Sequence, residues 1–382
     1  MKSARSDAHL NSCNMFLETF VRSGHAIPHP RNQAWRSLLP ATYEFTLPLT
    51  RDGIHEYDGE HSCLLPHEVV HTLSKHDELF KFILTGDNLP DCWRGCRDSD
   101  WYQNHPLPQL RERPESCIPI RLYGDDAGVY ENQKVLIINW CSACVTGTLT
   151  LDHRIIFTCL TYLRLVDSSI SVVYKVLQWS LLWLALGEFP DRDHNGKFFS
   201  LEYMPERYRM RGQPLTASGF VGVFSELVSD WKYQVEALCL EYYYSTAFCC
   251  HLCRASKKIR RLAFTQYKRT DNIRRTLVTA KQFRDWLDVQ DTCRSWVTLI
   301  LGFSIFRCLV DAMHCLDLGV YQILVPCAIV ELVLQGVWEG TTLEQRFALA
   351  YNDYSDWCRA EGLRKKCVFL WVIRGASLKF ET

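Results

Sequence analysis

The run Ile118-Pro-Ile-Arg-Leu-Tyr-Gly-Asp-Asp-Ala-Gly-Val-Tyr130 decides how this chain is read. It predicts a strand over residues 117–123, bounded by Pro119 and Gly124, that delivers Asp125 and Asp126 onto a glycine-flanked turn. Working outward, two more strands are expected at residues 134–140, rich in Val, Leu and Ile, and 154–160. A helix should follow over residues 171–186, where Val172, Val173, Val176 and Leu177 recur at helical spacing. A second helix is expected over residues 218–228, which leaves a fourth strand near Asp230 poorly written.

Three strands and then a helix, with an acid closing the first strand, is the opening order of a ribonuclease-H-like α/β fold. The fold class expected is therefore a ribonuclease-H-like mixed sheet with a largely helical insertion and a helical N-terminal region. Residues 1–112 read as that helical or irregular region, with apolar spacing at 11–21 and again at 65–84. Proline and arginine crowd residues 104–119 and mark a boundary. Residues 113–237 carry the first part of the core, 238–307 an inserted subdomain rich in Cys and Arg, and 308–382 the last part. The run Cys367-Val-Phe-Leu-Trp-Val-Ile373 reads as a strand with nine residues after it, so a covering helix is expected beyond residue 382.

Composition narrows the function classes. Lys plus Arg (43) balance Asp plus Glu (43), so any nucleic-acid surface must be local. Lys257, Lys258, Arg260 and Arg261 form such a patch. Eighteen cysteines in 382 residues are not the pattern of a short disulfide-stapled module, and the polar opening residues do not read as a leader. Free thiols in a reducing compartment are expected. The apolar runs at 179–186, 295–306 and 323–330 all fall short of the ~20 residues that span a bilayer, so no membrane partner is expected.

The chemistry-bearing residues are dispersed acids, two cysteine pairs and one Asp/His pair. An acid at the carboxyl end of a strand projects over the sheet edge, where ligands bind. Asp125 is preferred over Asp126 because Gly124 permits close approach; an ordinary solvent-exposed turn is the competing reading. Asp230 follows the apolar Phe220–Val228 run and is either a second carboxylate of the same site or a helix N-cap. Two divalent ions ~3.5–4 Å apart require carboxylates on neighbouring elements. Cys250-His-Leu-Cys253 has the spacing of half a zinc site, with Cys293 and His314 as distant completing ligands, and Cys141/Cys144 repeats the spacing. Buried free thiols are the alternative. Asp311 and His314 are three apart and would share a helix face, either as an oriented imidazole or as a plain polar pair. Glu331 interrupts an apolar run, where an uncompensated carboxylate would be costly.

Together, Ile118–Tyr130, Ser229-Asp-Trp-Lys-Tyr233, Cys250-His-Leu-Cys-Arg-Ala-Ser256 and Asp311-Ala-Met-His-Cys-Leu-Asp-Leu-Gly-Val320 resemble the core of eukaryotic cut-and-paste DNA transposases of the CACTA (En/Spm)-like type, including dinoflagellate transposase-like reading frames. The resemblance covers residues 110–335. It implies an Asp-Asp-Glu site with Asp125 first, Asp230 second and Glu331 as third acid, and likens Asp311 and His314 to the element between the last two. Glu339, Glu344 and Glu361 are later glutamates. With the third acid present the chain would be an enzyme, its Mg²⁺ or Mn²⁺ held by Asp125, Asp230 and Glu331, with Asp126 in reserve. It would cleave phosphodiesters and transfer strands, and Zn²⁺ would be structural. The implied partner is DNA at transposon ends, with a second copy of the chain as a further candidate, and the implied compartment is the nucleus. Two other classes compete: an inactive transposase-derived DNA- or protein-binding factor, and a structural zinc-binding interaction module.

Overall fold

The computed structural model describes residues 38–50, 53–87, 89–128, 134–145, 153–241, 245–265, 268, 271–289, 295–311, 315 and 321–361. They divide into two compact units, one ending at Leu309 and one beginning at Val310.

The first unit is mixed α/β. It opens on an antiparallel hairpin, β1 (Tyr43–Thr50) with β2 (Glu56–Cys63), in register from Tyr43↔Cys63 to Thr50↔Glu56. This corrects the helical or irregular reading over residues 43–63; the helical spacing at 65–84 is borne out, and the expected helix at 11–21 lies outside the described residues. Tyr43, Phe45, Leu47 and Leu49 are buried while Glu44 and Thr46 are exposed, the period of two that a half-buried strand requires. Helix α1 (Pro66–Leu73) follows, with proline in its first turn, where a missing N–H costs nothing.

The central sheet has the order β5-β4-β3-β6-β7. Strands β3 (Cys117–Gly128), β4 (Lys134–Ser142) and β5 (Ile155–Thr161) run antiparallel to their neighbours. Helix α2 (Asp167–Leu186) then crosses over, stops at Gly187 in the left-handed conformation (φ 76°), and feeds β6 (Val221–Ser229), which lies parallel to β3 on its other side. The short β7 (Cys308–Val310) closes the edge. Residues 218–228, expected as a helix, are therefore the missing fourth strand. Val-Gly-Val-Phe-Ser-Glu-Leu-Val-Ser is buried on both faces, so the alternation that advertises a strand is absent.

Helix α2 packs on β6, β1 and α1 through Val173, Val176, Leu177 and Leu184, all buried. Its residues 168–186 are long and apolar enough to cross a membrane, yet 56% of that stretch is buried inside the protein, as a core helix requires. Helix α3 (Trp231–Ala237) follows β6 directly.

The 238–307 segment is less helical than expected. Apart from α4 (Ala280–Val289), its described elements are single 3₁₀ turns. Its own apolar cluster, centred on Cys249, Ala255 and Ile273, is small. Side chains take over backbone groups instead: the Ser256 hydroxyl accepts from the N–H of Lys258 and of Ile259, at 3.1 Å each.

The second unit is described as two helices, α5 (Tyr321–Leu334) and α6 (Leu343–Ala360), around Val333 and Ala350. The expected strand at 367–373 lies outside the described residues, as do residues 312–314 and 316–320 of the segment in which Asp311 and His314 were expected to share a helix face.

The expectation of free thiols throughout is corrected at one place. Cys92, on the Leu89–Arg94 helical turn, and Cys144, two residues past β4, are joined by a disulfide, their Cα atoms 5.5 Å apart.

Candidate functional site

The parallel pairing of β3 with β6 sets the site. The register runs Arg121↔Glu226, Leu122↔Leu227, Tyr123↔Val228 and Gly124↔Ser229; Asp230 is the first residue after β6, and Asp125 is the next residue of β3, which runs on to Gly128. Asp125 and Asp126, expected on a turn, are therefore within the strand and pair with Ile137 and Leu136 of β4. Adjacent strands lie about 4.8 Å apart, and parallel partners point to the same face. The sequence thus brings its first and second acids together at the carboxyl edge of the sheet, although 104 residues separate them in the chain.

The two faces of β3 treat the consecutive acids differently. On the helix-covered face, Gly124 leaves room for the Tyr233 ring of α3, and a Cβ at Gly124 would sit 1.9 Å from Tyr233 Cζ. The hydroxyl of Tyr174, on α2, donates to the Tyr233 hydroxyl at 2.8 Å. Asp126 points to that same face. It accepts from Lys232 Nζ at 2.8 Å and from the Tyr162 hydroxyl, with Lys134 Nζ at 3.7 Å. Burial alone would raise its pKa, but the Lys232 and Tyr162 hydrogen bonds and the two lysine charges outweigh it, and the carboxyl is held below its ordinary range. Asp126 is therefore a carboxylate held between two lysines and a tyrosine hydroxyl.

Asp125 points to the opposite face. Its Oδ1 accepts from the Asp126 N–H at 2.7 Å and its Oδ2 from the Tyr123 hydroxyl at 3.2 Å. Asp230 caps α3, accepting the Tyr233 N–H at 2.6 Å through Oδ1, so the N-cap reading of this residue holds alongside its place beside Asp125. Burial raises the Tyr233 pKa, and although the Tyr174 hydrogen bond lowers it, the fields of Asp126, Asp125 and Asp230 raise it further. All three carboxylates thus act on one buried phenol.

Further along the Asp125 face runs an ion-pair chain that sequence reading missed. Arg121 Nε donates to Glu226 Oε1 at 2.5 Å; Arg307 lies 3.8 Å from Glu226 Oε2 and donates to the Ser225 carbonyl at 2.6 Å. Arg154 sits over the Tyr123 ring, 4.0 Å from its centroid. The signal was available: Glu226 is a lone carboxylate in an apolar strand, the argument that singled out Glu331. In the structure Glu226 is the buried, paired one. Glu331 is exposed on α5 of the second unit, where its carboxylate accepts from Gln335 at 2.8 Å. Glu339, Glu344 and Glu361 are exposed too. Asp311 is buried, and His314 lies outside the described residues.

Cys250 and Cys253 form a tight turn in which the Leu252 N–H donates to Cys250 Sγ at 3.4 Å. Burial, with Cys250 and Cys249 alongside, pushes the Cys253 thiol up to about 11. Cys293 lies outside the described residues, and Cys144 is engaged in the disulfide. Lys257, Lys258, Arg260 and Arg261 are all exposed on the adjoining turn.

A further motif escaped sequence reading. Asp191-Arg-Asp193-His-Asn195-Gly196, with Glu202 five residues after Lys197-begun spacing, follows the ligand order of a calcium loop. Its Asp191, Asp193 and Asn195 side chains are engaged within the protein. Asp193, buried, accepts from the N–H groups of Asn195 (2.8 Å) and Lys197 (2.9 Å) and from the Tyr203 hydroxyl (2.7 Å), while Lys175 holds Asn195 and Arg192 holds Asp191. Among the described residues, no three His, Cys, Asp or Glu side chains converge as a group that could hold a metal. Compared with known family models, curated proteins and solved structures, the chain matches none.

Proposed function

We propose that this chain is a transposase-like DNA-processing protein, with Asp125 and Asp230 as the carboxylate pair of a divalent-cation site. The observation that carries the reading is the β3–β6 register, whose last pair, Gly124↔Ser229, immediately precedes Asp125 on one strand and Asp230 after the other. The strand order supports it: three successive antiparallel strands, then a helical crossover to a parallel strand beside the first, is the order of a ribonuclease-H-like sheet. The donor set suits Mg²⁺ or Mn²⁺, which bind through one or two carboxylates and complete their shell with water and substrate phosphate.

In this reading Asp125 and Asp230 hold the cation at the sheet edge. Tyr123 and the Asp126 N–H orient Asp125, and the Tyr233 N–H orients Asp230. The cation, when bound, supplies activation of water or of a 3′-hydroxyl and neutralises charge on the phosphate. The cations of the 257–261 turn contribute salt-dependent contacts to the phosphate backbone. Zn²⁺ on Cys250 and Cys253 is the accompanying structural proposal.

The test is Mn²⁺-dependent nicking of supercoiled plasmid by the purified chain, alongside Asp125→Asn and Asp230→Asn. Asparagine is as good an N-cap as aspartate, so Asp230→Asn leaves α3 intact while removing a charge. Nicking that both variants abolish supports the reading; nicking that survives both contradicts it. A DNA-binding derivative without chemistry is the second reading, favoured by the lysine-neutralised Asp126 and the exposed Glu331. It predicts salt-dependent DNA binding and no nicking.

A further inference from the structure

The face of the sheet that carries Asp125 leads, past Arg121 and Glu226, to a cleft of about 470 Å³. Arg307 joins the two, since it is bonded to the β6 carbonyl of Ser225 and also lines the cleft. Trp101, Phe283 and Phe306 supply aromatic wall, and Arg284 a second guanidinium. The one carboxylate in the lining, Asp100, is engaged by Asn104 at 2.8 Å.

This wall is built before any ligand arrives. Trp101 donates through Nε1 to the Gly302 carbonyl at 2.7 Å and carries the Arg307 guanidinium 4.8 Å from its ring centroid. Gly302, at φ +83°, leaves space for the His105 ring; a Cβ there would lie 1.9 Å from Nε2. Phe306 lines the cleft while remaining 44% exposed.

Aromatic rings and guanidinium groups together suit a ligand with a flat apolar body and a negative charge. Arg154, Arg121, Arg307 and Arg284 also mark a cationic track from the acidic edge to the cleft. Four residues of strand separate Glu226 from Asp230, roughly 13 Å at ~3.3 Å per residue. We propose that the cleft receives one unpaired nucleotide of a single strand whose backbone follows this track, its base on the aromatic wall and its phosphate at the arginines. The proposal rests on the DNA-processing reading for its direction along the sheet, and its test does not involve the cation or cleavage.

The experiment measures fluorescence anisotropy of labelled oligothymidylate and of an abasic oligomer of equal length and charge, with the full chain in EDTA. The expected result is about tenfold weaker binding of the abasic strand, since base stacking is the difference between them. Phe306→Ala should erase that gap, and Arg284→Ala should weaken both strands. Circular dichroism checks that the variants fold. Equal affinity for the two strands in the wild-type protein, a gap that survives Phe306→Ala, or binding confined to duplex would overturn the proposal. Each of these results leaves the cation site to its own test.

Discussion

Gly124→Ala should unseat the acidic edge from behind. The added Cβ would lie 1.9 Å from Tyr233 Cζ and 2.2 Å from its Cε2 and hydroxyl oxygen, against an ordinary contact of 3.4 Å or more. Tyr233 is 5% exposed and its hydroxyl is bonded to Tyr174, so the ring has no solvent to retreat into. Overpacking of this kind costs about 1–3 kcal/mol. Breaking the Tyr174–Tyr233 bond leaves a buried hydroxyl unsatisfied, for a further ~1–3 kcal/mol. The expected loss of unfolding free energy is therefore about 2–6 kcal/mol, read by urea denaturation. In a Tyr233→Leu background the same substitution should cost under about 1 kcal/mol, because the clashing ring is gone. A cost below about 0.5 kcal/mol in the wild-type background, or strictly additive effects in the pair, would refute the contact and with it the reason for glycine before Asp125.

Two further outcomes concern the scaffold. Burial pushes His61 down to about 4 and, aided by the Arg207 charge, His67 down to about 3. Both are depressed below the ordinary histidine value, so their contribution to stability is present above about pH 6.5 and is lost as pH falls toward 4. The slope should approach about 1.4 kcal/mol per pH unit for each, and a stability profile flat between pH 6.5 and 4.5 would contradict it. Reduction of the Cys92–Cys144 bridge, which closes a loop with a sequence separation of 52, should lower stability by about 4 kcal/mol. Denaturation with and without reductant measures this, and identical curves would show that the bridge does not constrain the chain.

The sequence was most legible where an element has one dominant local cue. Strands β4 and β5 and helix α2, which repeats its apolar residues at helical spacing, were expected close to their observed positions, whereas β3 runs through Gly124 to Gly128 and takes Asp125 and Asp126 into the strand. Strand β6 was misread because burial on both faces erases alternation, leaving a short apolar run that suits either element. The hairpin was missed although Tyr43, Phe45, Leu47 and Leu49 alternate cleanly; the helical spacing downstream coloured the whole region. Asp125 and Asp230 were each visible as acids closing apolar runs, whereas their adjacency depends on register, which no local pattern encodes. Glu226 and Arg307 meet across 81 residues of sequence, and Cys92 finds Cys144 across 52. Such partnerships are written in tertiary geometry.

The central claim is that Asp125 and Asp230 together hold a divalent cation. Isothermal titration of Mn²⁺ into the wild-type chain, Asp125→Asn and Asp230→Asn tests it most directly, with Asp126→Asn as the control for the lysine-neutralised neighbour. The account predicts a Mn²⁺ site that either of the first two substitutions removes and that Asp126→Asn leaves in place. Wild-type protein that takes up no Mn²⁺, or Mn²⁺ uptake unchanged by Asp125→Asn and Asp230→Asn, would contradict it.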